Sequence, residues 1–179
     1  YYDDLDRQEW VDRNLVGQEI EDPVPPSTWT ITENIMVNTK YDAHGDAIIK
    51  IEYLTDADEQ PFSRMNRTYF DLLGRPELMV HNLDPVIDPF SPNHPDCNLD
   101  TTGDVPPYNI CDEIVYSRNG EAIASIEPLG HITRTYYDGL LRQVTIVENL
   151  TGWNISNHSA PSRNPAVPDI NVRTDMSYN

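Results

Sequence analysis

Residues 69–85 read YFDLLGRPELMVHNLDP, and this stretch has the pattern of a β-hairpin. Strand-forming residues at 67–70 and 75–82 flank a short turn that begins at Asp71 and ends at Gly74. Asp at the start of a turn bonds the amides ahead of it, and Gly at the end adopts the positive φ that other residues resist. The stretch therefore predicts two antiparallel strands joined by a tight turn.

The same unit occurs three times along the chain. The segments that begin at Tyr1 and Tyr136 read YYDDLDRQEWVDRNLVG and YYDGLLRQVTIVENLTG. Both share Tyr, Asp, Leu, Arg, Asn and Leu, in register, with the segment that begins at Tyr69. These A units begin 68 and 67 residues apart, and such self-similarity at a fixed period is the signature of a repeat architecture.

A second unit lies between the A units. The segments YDAHGDAIIKIEYL from Tyr41 and YSRNGEAIASIEPL from Tyr116 share Tyr, Gly, an acid, Ala-Ile, Ile-Glu and Leu in register. Their His44-Gly45 and Asn119-Gly120 pairs predict hairpin turns. Residues 1–179 thus form a single array of alternating A and B units, with another B unit beginning at about residue 178.

The strands between the turns are patterned for a sheet with one buried face. The residues that alternate along 47–53 are Ile49, Ile51 and Tyr53 on one face and Ile48, Lys50 and Glu52 on the other. A single hairpin is marginal in water, so several must stack. We predict an all-β fold of sequential antiparallel hairpins that form an extended, twisted or spiralling sheet with long proline-rich loops.

The loops are the irregular part of the array. The chain has 15 prolines and 8 glycines, and the prolines gather in three insertions, residues 21–27, 84–107 and 159–169. Insertions in a repeat array map to one face, often the binding face. The alternative interpretation is that they are plain spacers.

Two cysteines, Cys97 and Cys111, flank a polar loop that contains proline. A disulfide that closes this loop would suit an extracellular protein. Two free thiols are the alternative, because a sequence does not show the geometry that a disulfide requires.

The formal net charge of −18 indicates which partners to expect. A surface this acidic argues against nucleic acids and anionic membranes, which bind basic surfaces. The sequence contains no run of roughly 20 apolar residues, so we predict no membrane-spanning helix. Calcium takes oxygen ligands, and the calcium candidates in the acidic loop are Asp96, Asp100 and Asp104; solvated loop acids are the simpler interpretation.

The recurrent aspartates argue against an enzyme. Asp3, Asp42, Asp71 and Asp138 all stand at the same turn position. A turn-forming residue recurs in this way, whereas a catalytic residue normally occurs once. We also find no phosphate-binding loop, dinucleotide fingerprint or nucleophile elbow, so we predict no catalytic residues and no cofactor apart from the calcium alternative.

The unit Tyr-Asp-x-x-Gly-Arg followed by a strand resembles the YD repeat of RHS proteins. The residues that carry the resemblance are Tyr2, Asp3, Arg7, Tyr41, Asp42, Gly45, Phe70, Asp71, Gly74, Arg75, Tyr116, Gly120, Tyr137, Asp138 and Arg142. Two units depart from the pattern, with Asp6 and Leu141 where glycine is expected. The unit at Tyr116 lacks both the aspartate and the arginine.

This resemblance implies a β-ribbon that spirals into a shell, as in bacterial toxin complexes, polymorphic toxins and teneurins. It further implies a secreted or cell-surface, non-catalytic structural segment that acts as shell or scaffold. Both chain ends fall inside units, so we expect a stretch of a longer protein. Its partners would be further YD repeats of the parent chain, or other copies that join open sheet edges into a fibre.

The alternative function is a surface or adhesion module that binds carbohydrate or calcium. In that interpretation the acidic, proline-rich insertions form the contact face, and the partner is a glycan or another cell-surface group.

Overall fold

A computed structural model describes residues 1–13, 35–55, 61–97, 108–152, 154, 156 and 158–178. The strands are β1 (Trp10–Arg13), β2 (Ile35–Tyr41), β3 (Ala47–Thr55), β4 (Pro61–Phe70), β5 (Pro76–His81), β6 (Ile110–Tyr116), β7 (Ala122–Ile126), β8 (Ile132–Tyr137), β9 (Gln143–Glu148) and β10 (Val172–Asp175). They form one open 10-stranded sheet in which each strand pairs with the next along the chain, always antiparallel. The predicted all-β fold of sequential hairpins is confirmed.

The A and B hairpins are built alike. In β2–β3, β4–β5, β6–β7 and β8–β9 the register shifts where the first strand meets the turn. A shift at this place is typical of a turn that closes with a residue in the left-handed region, next to a bulge. The turns therefore fix the register of these four hairpins locally.

The left-handed position is filled in two ways. Gly45, Gly74 and Gly120 have φ of 95°, 72° and 103°. Asp6 and Leu141, which replace glycine in the other A units, have φ of 58° and 59°. The turn thus keeps its shape without glycine, at a conformational cost of about 1–2 kcal/mol for a residue with a Cβ.

One face of the sheet is buried across neighbouring strands. Ile49 pairs with Arg67, Arg67 with Val80, and Val80 with Cys111, and all four side chains are buried. Lys50, the next residue along β3, is exposed. The alternation predicted for β3 is therefore seen at Ile49 and Lys50, whereas Ile48 and residues 51–53 are all partly buried.

Loops cover this buried face. Leu83 and Ile87, which follow β5, pack on a cluster that contains Tyr69 and Val80. After β9, Leu150 and Ala160 pack in the same way on Tyr136 and Val147. The described parts of the loops thus supply a cover for the sheet, while residues 21–27 and 98–107 lie outside the described residues.

The disulfide is formed, which settles the alternative of two free thiols. Cys97 is bonded to Cys111, with 5.6 Å between their Cα atoms. Cys111 is buried in β6 beside Val80, and Cys97 is exposed. The bond therefore ties the loop after β5 to the sheet. Where the structure describes the chain, no helical segment could serve as a membrane span.

Exchanging the residue at the left-handed position should move stability in opposite directions. We expect Leu141→Gly to raise the free energy of unfolding by about 0.5–1 kcal/mol, because relief at positive φ exceeds the added chain entropy. Gly74→Ala should lower it by about 1 kcal/mol; steric clash plays no part, because the nearest atom to an added Cβ is 4.0 Å away. Urea denaturation measures both.

Leu140→Gly is the matched control for the first variant. Leu140 is also exposed in this turn but does not have a positive φ, so glycine there should destabilise. A loss of stability in Leu141→Gly as large as that in Leu140→Gly would contradict the conformational explanation.

Candidate functional site

The charged residues of the A turns form a clasp. In the turn after β4, Oδ1 of Asp71 accepts hydrogen bonds from the backbone N–H groups of Leu73 and Arg75, at 2.8 and 3.0 Å. Its Oδ2 accepts bonds from Nε and Nη2 of Arg75, at 2.8 and 2.5 Å. The Arg75 guanidinium carbon lies 4.1 Å from the ring centroid of Tyr116 on β6. One carboxylate thus closes the turn and orients a cation over the ring of a B unit.

The clasp occurs in every A unit. Asp3 holds Arg7 over Tyr41, and Asp138 holds Arg142 over Tyr178. The hydroxyl groups of Tyr41, Tyr116 and Tyr178 each donate to a backbone carbonyl of the residue after the clasp arginine, at 2.7, 3.0 and 2.7 Å. We call these three sets the Asp–Arg–Tyr clasps.

The B turns keep the cap but not the clasp. Oδ1 of Asp42 accepts the N–H groups of His44 and Asp46, each at 2.9 Å. Ser117 replaces the aspartate, and its Oγ accepts the corresponding N–H groups of Asn119 and Glu121. The position of the clasp arginine is acidic in both B turns, at Asp46 and Glu121.

A second set of arginine–tyrosine contacts, which was not predicted from the sequence, is buried on the covered face. The guanidinium carbons of Arg67 and Arg134 lie 4.7 and 4.9 Å from the rings of Tyr69 and Tyr136. These arginines are only 8% and 4% exposed. In the sequence these contacts correspond to Arg-Thr-Tyr at 67–69 and at 134–136. Each of these tripeptides begins two residues before the start of an A unit.

The two buried arginines differ in their partners. Nη1 of Arg134 donates to the backbone carbonyl of Asn154 in the covering loop, at 3.3 Å. Nε and Nη1 of Arg67 have no hydrogen-bond acceptor in the described ranges, and neither does the buried hydroxyl of Tyr69. Nη1 of the buried arginine thus lacks an acceptor in the second A unit and has one in the third.

Asparagines bracket the loops at the opposite edge of the sheet. The N–H of Asn109 donates to the carbonyl of Asn82, and that of Asn171 donates to that of Asn149, at 3.0 and 3.1 Å. All four residues have φ between 49° and 57°, a conformation that Asn tolerates better than most residues. The second member of each pair stands seven residues before a tyrosine, Asn109 before Tyr116 and Asn171 before Tyr178. In the sequence, Asn34 stands at the same distance before Tyr41.

Only one of the three calcium candidates lies within the described residues. Asp96 is exposed, and Asp100 and Asp104 lie outside the described ranges. Within those ranges, no three His, Cys, Asp or Glu side chains are arranged to hold a metal ion. The carboxylates of Asp3, Asp71 and Asp138 are already bound to arginine. Calcium at the acidic loop remains a prediction from the sequence.

A groove of about 750 Å³ lies between the turn after β6 and the turn after β8. The rings of Tyr136 and Tyr137 line it, together with the polar side chains of Asn119, Glu121 and His158. Glu121 is hydrogen-bonded to the Ser117 hydroxyl, and the hydroxyl of Tyr137 donates to the carbonyl of Ala122 at 2.9 Å. Of the polar residues named here, Asn119 and His158 are exposed, and their side chains are the groups that this groove offers to a ligand.

The clasps should make stability depend on pH. Hydrogen bonds from the side chain and backbone of Arg75 hold the pKa of Asp71 below its usual value. Those from Arg7 and Arg142 do the same for the pKa values of Asp3 and Asp138. A carboxyl whose pKa is lowered by folding stabilises the native state above its unfolded pKa, about 3.9, and this contribution disappears as the pH falls through the folded value.

We therefore expect the urea midpoint to be steady near neutral pH and to fall below about pH 4. In Asp71→Asn, the amide oxygen still caps the turn but the charge is absent, so the midpoint should be lower at pH 7 and the acid-dependent fall smaller. Asp4→Asn removes an exposed carboxylate of the first turn and controls for net charge. If the two variants had the same pH profile, the clasp explanation would be wrong.

Replacing each buried arginine should reveal the difference between them. Arg67→Met removes a partly uncompensated buried charge and keeps the apolar stem, so we expect stability to be unchanged or about 1 kcal/mol higher. Arg134→Met also removes the bond to the Asn154 carbonyl, so we expect a loss of about 1–2 kcal/mol. Equal losses in the two variants, measured by urea denaturation, would show that the ring contact dominates at both sites.

No family model and no curated protein matches this sequence. The functional interpretation therefore depends on the contacts of the chain's own residues. Those contacts bind three of the four recurrent aspartates, Asp3, Asp71 and Asp138, to the arginines of their own turns.

Proposed function

We propose that this chain is a non-catalytic structural segment of an extracellular repeat protein similar to RHS proteins, in which the sheet acts as shell or scaffold. The three Asp–Arg–Tyr clasps are the observation that carries the proposal. Aspartate and arginine are residues from which an active site could be built. Here each copy uses them to close a turn and join it to a neighbouring unit, which favours a structural role.

The disulfide supports the extracellular part of the proposal. The bond between Cys97 and Cys111 joins a loop to the buried face of the sheet. Structural disulfides persist in oxidising compartments and are rare in the cytosol. The disulfide would therefore persist in a secreted or cell-surface protein, where it holds the loop after β5 against the sheet.

The junctions between units support a modular scaffold. Strand β3 meets β4 with Ile49 opposite Arg67, and β7 meets β8 with Ala124 opposite Arg134. The two junctions use equivalent residues in equivalent register. Each of the described strands contacts only its neighbours in the sheet, so the stability of the array should be close to a sum over units and junctions.

Deleting one A-B repeat tests this proposal. Removal of residues 69–135 joins Thr68 to Tyr136, restores the Arg-Thr-Tyr sequence and keeps the register of the junction. We expect a shorter chain that still folds cooperatively into an antiparallel sheet, measured by circular dichroism and urea denaturation. Because the deletion removes both cysteines, the reference is the full chain with Cys97→Ser and Cys111→Ser.

The matched control removes residues 69–134 instead. The one extra residue shifts the junction by one position and turns the buried side chains of one part towards solvent. We expect this chain to fold poorly. If the in-register deletion were equally unfolded, the chain would be one indivisible domain, and the scaffold proposal would fail.

The groove near Tyr137 favours saccharide binding as a second candidate function. Aromatic rings beside amide and carboxylate groups suit a polar, ring-shaped ligand. The in-register deletion also distinguishes this candidate, because it removes Asn119 and Glu121 from the groove. A saccharide-binding module would lose binding to a panel of neutral glycans, whereas a scaffold would show none before or after deletion.

A further inference from the structure

The sequence contains four Asn-x-Ser/Thr tripeptides, the pattern that accepts N-linked glycans in secreted eukaryotic proteins. They begin at Asn66, Asn149, Asn154 and Asn157. The structure describes the first three asparagines, and Asn157 lies outside the described residues. A glycan acceptor needs a side-chain nitrogen that is free to react, a hydroxyl residue close to it and space for a sugar. The three described tripeptides differ in these properties.

The tripeptide at Asn66 is held in the interior of β4. Asn66 pairs with Lys50 of β3, and Thr68 pairs with Met79 of β5. Residues two apart in a strand are separated by about 6.4–6.8 Å, so the extended backbone separates Thr68 from the acceptor. The Asn66 side chain is also in use, because its Oδ1 accepts a hydrogen bond from the N–H of Asn82 at 3.1 Å.

The tripeptide at Asn149 is part of the asparagine bracket. Nδ2 of Asn149, the atom that would carry a sugar, donates to the carbonyl of Asp169 at 2.5 Å. The side chain of Asn171 accepts a bond from the N–H of Thr151 and donates one to its hydroxyl. A glycan on Nδ2 of Asn149 would stand where the loop before β10 closes on the sheet.

The tripeptide at Asn154 has the opposite properties. Asn154 and Ser156 are both exposed, and Oδ1 of Asn154 accepts a hydrogen bond from the N–H of Ser156 at 2.8 Å. Such an Asx turn bends the chain, so the two residues lie closer together than they would in a strand. In the part of the chain that the structure describes, Nδ2 of Asn154 has no hydrogen-bond acceptor. This nitrogen is therefore free to react.

The backbone of Asn154 is fixed although its side chain is exposed. Its carbonyl accepts the bond from Nη1 of the buried Arg134, at 3.3 Å. Ser156 lines the groove of about 750 Å³ that Tyr137 also lines. The tripeptide is thus anchored to the covered face of the sheet, and open space for a sugar adjoins it.

We propose that, of the three described asparagines, Asn154 carries an N-linked glycan in the folded, secreted protein and Asn66 and Asn149 do not. In the reaction, Nδ2 of Asn154 bonds to the anomeric carbon of an oligosaccharide that is linked to a lipid pyrophosphate. The bond from that carbon to the pyrophosphate breaks, the lipid pyrophosphate leaves, and Nδ2 loses one proton. The inference rests on the extracellular part of the proposed function, because this donor is used in the secretory pathway.

Secretion of the whole chain from a eukaryotic cell, behind a cleavable leader, tests the proposal. Every chain includes Asn157→Gln, so that any glycan comes from one of the three described tripeptides. The secreted protein is treated with an amidase that releases N-linked glycans and converts the acceptor asparagine to aspartate. We expect a loss of mass equal to one glycan, and peptide mass spectrometry should locate the conversion at Asn154 alone.

Substitutions of the hydroxyl residues provide matched variants, because they leave every asparagine in place. Ser156→Ala removes the hydroxyl but keeps the N–H that closes the Asx turn, and we expect it to abolish the loss of mass. Asn154→Gln should abolish it as well. The controls are Thr68→Ala and Thr151→Ala, which disrupt the other two tripeptides in the same way and should leave the loss of mass unchanged.

A secreted chain without a glycan at Asn154 would overturn the inference. A glycan at Asn66 or Asn149 would overturn it too, and so would a loss of mass that persists in Ser156→Ala. A chain that enters the secretory pathway but is not secreted would contradict the extracellular part of the proposed function itself. The scaffold is judged separately by the in-register deletion in unglycosylated protein made in bacteria, so the two failures are distinguishable.

Discussion

The Asp–Arg–Tyr clasp is the interaction on which the rest of the sheet depends. Isolated surface ion pairs contribute little to stability. In the clasp, however, the Asp71 carboxylate also closes its own turn, and Arg75 also covers Tyr116 of the B unit that follows. Local turn geometry is thereby coupled to the joint between units. In the described residues the sheet has no second layer of strands or helices, so this coupling along the turn edge helps to hold successive hairpins in one register.

At the edge opposite the A and B turns, the loops after β5 and β9 cover the buried face of the sheet. Leu83 and Leu150 start the covering loops in equivalent positions, but the loops differ in sequence and in how they are fastened. One uses the Cys97–Cys111 disulfide, and the other uses the Asn154 carbonyl, which accepts a bond from Arg134. Because a loop is an imperfect apolar cover, polar arginines with long apolar stems can occupy the face beneath it.

The features predicted from the sequence were local ones. The turn at Asp71, the alternation along β3 and the hairpin order follow from residues close together in the chain, where turn chemistry and periodicity decide the structure. The asparagine bracket was missed because Asn82 and Asn109 are separated by a loop whose length differs between units. The first member of the bracket recurs in the A units, but the second is marked only by its fixed spacing to a later tyrosine. The covering role of the loops has no periodic signal at all.

The alternation of A and B units has an electrostatic reason along the turn edge. Nη1 of Arg75 approaches Gly120 so closely that a Cβ there would lie 3.3 Å from it. An arginine in place of Glu121, the residue after Gly120, would place two cations side by side, and like charges in contact are destabilising. Both B turns instead have an acid at this position, Asp46 or Glu121, and Asp46 in turn lies beside Gly74 of the next A turn. A cation in one turn thus favours an anion in the next turn. The sequence pattern therefore repeats only after one A unit and one B unit.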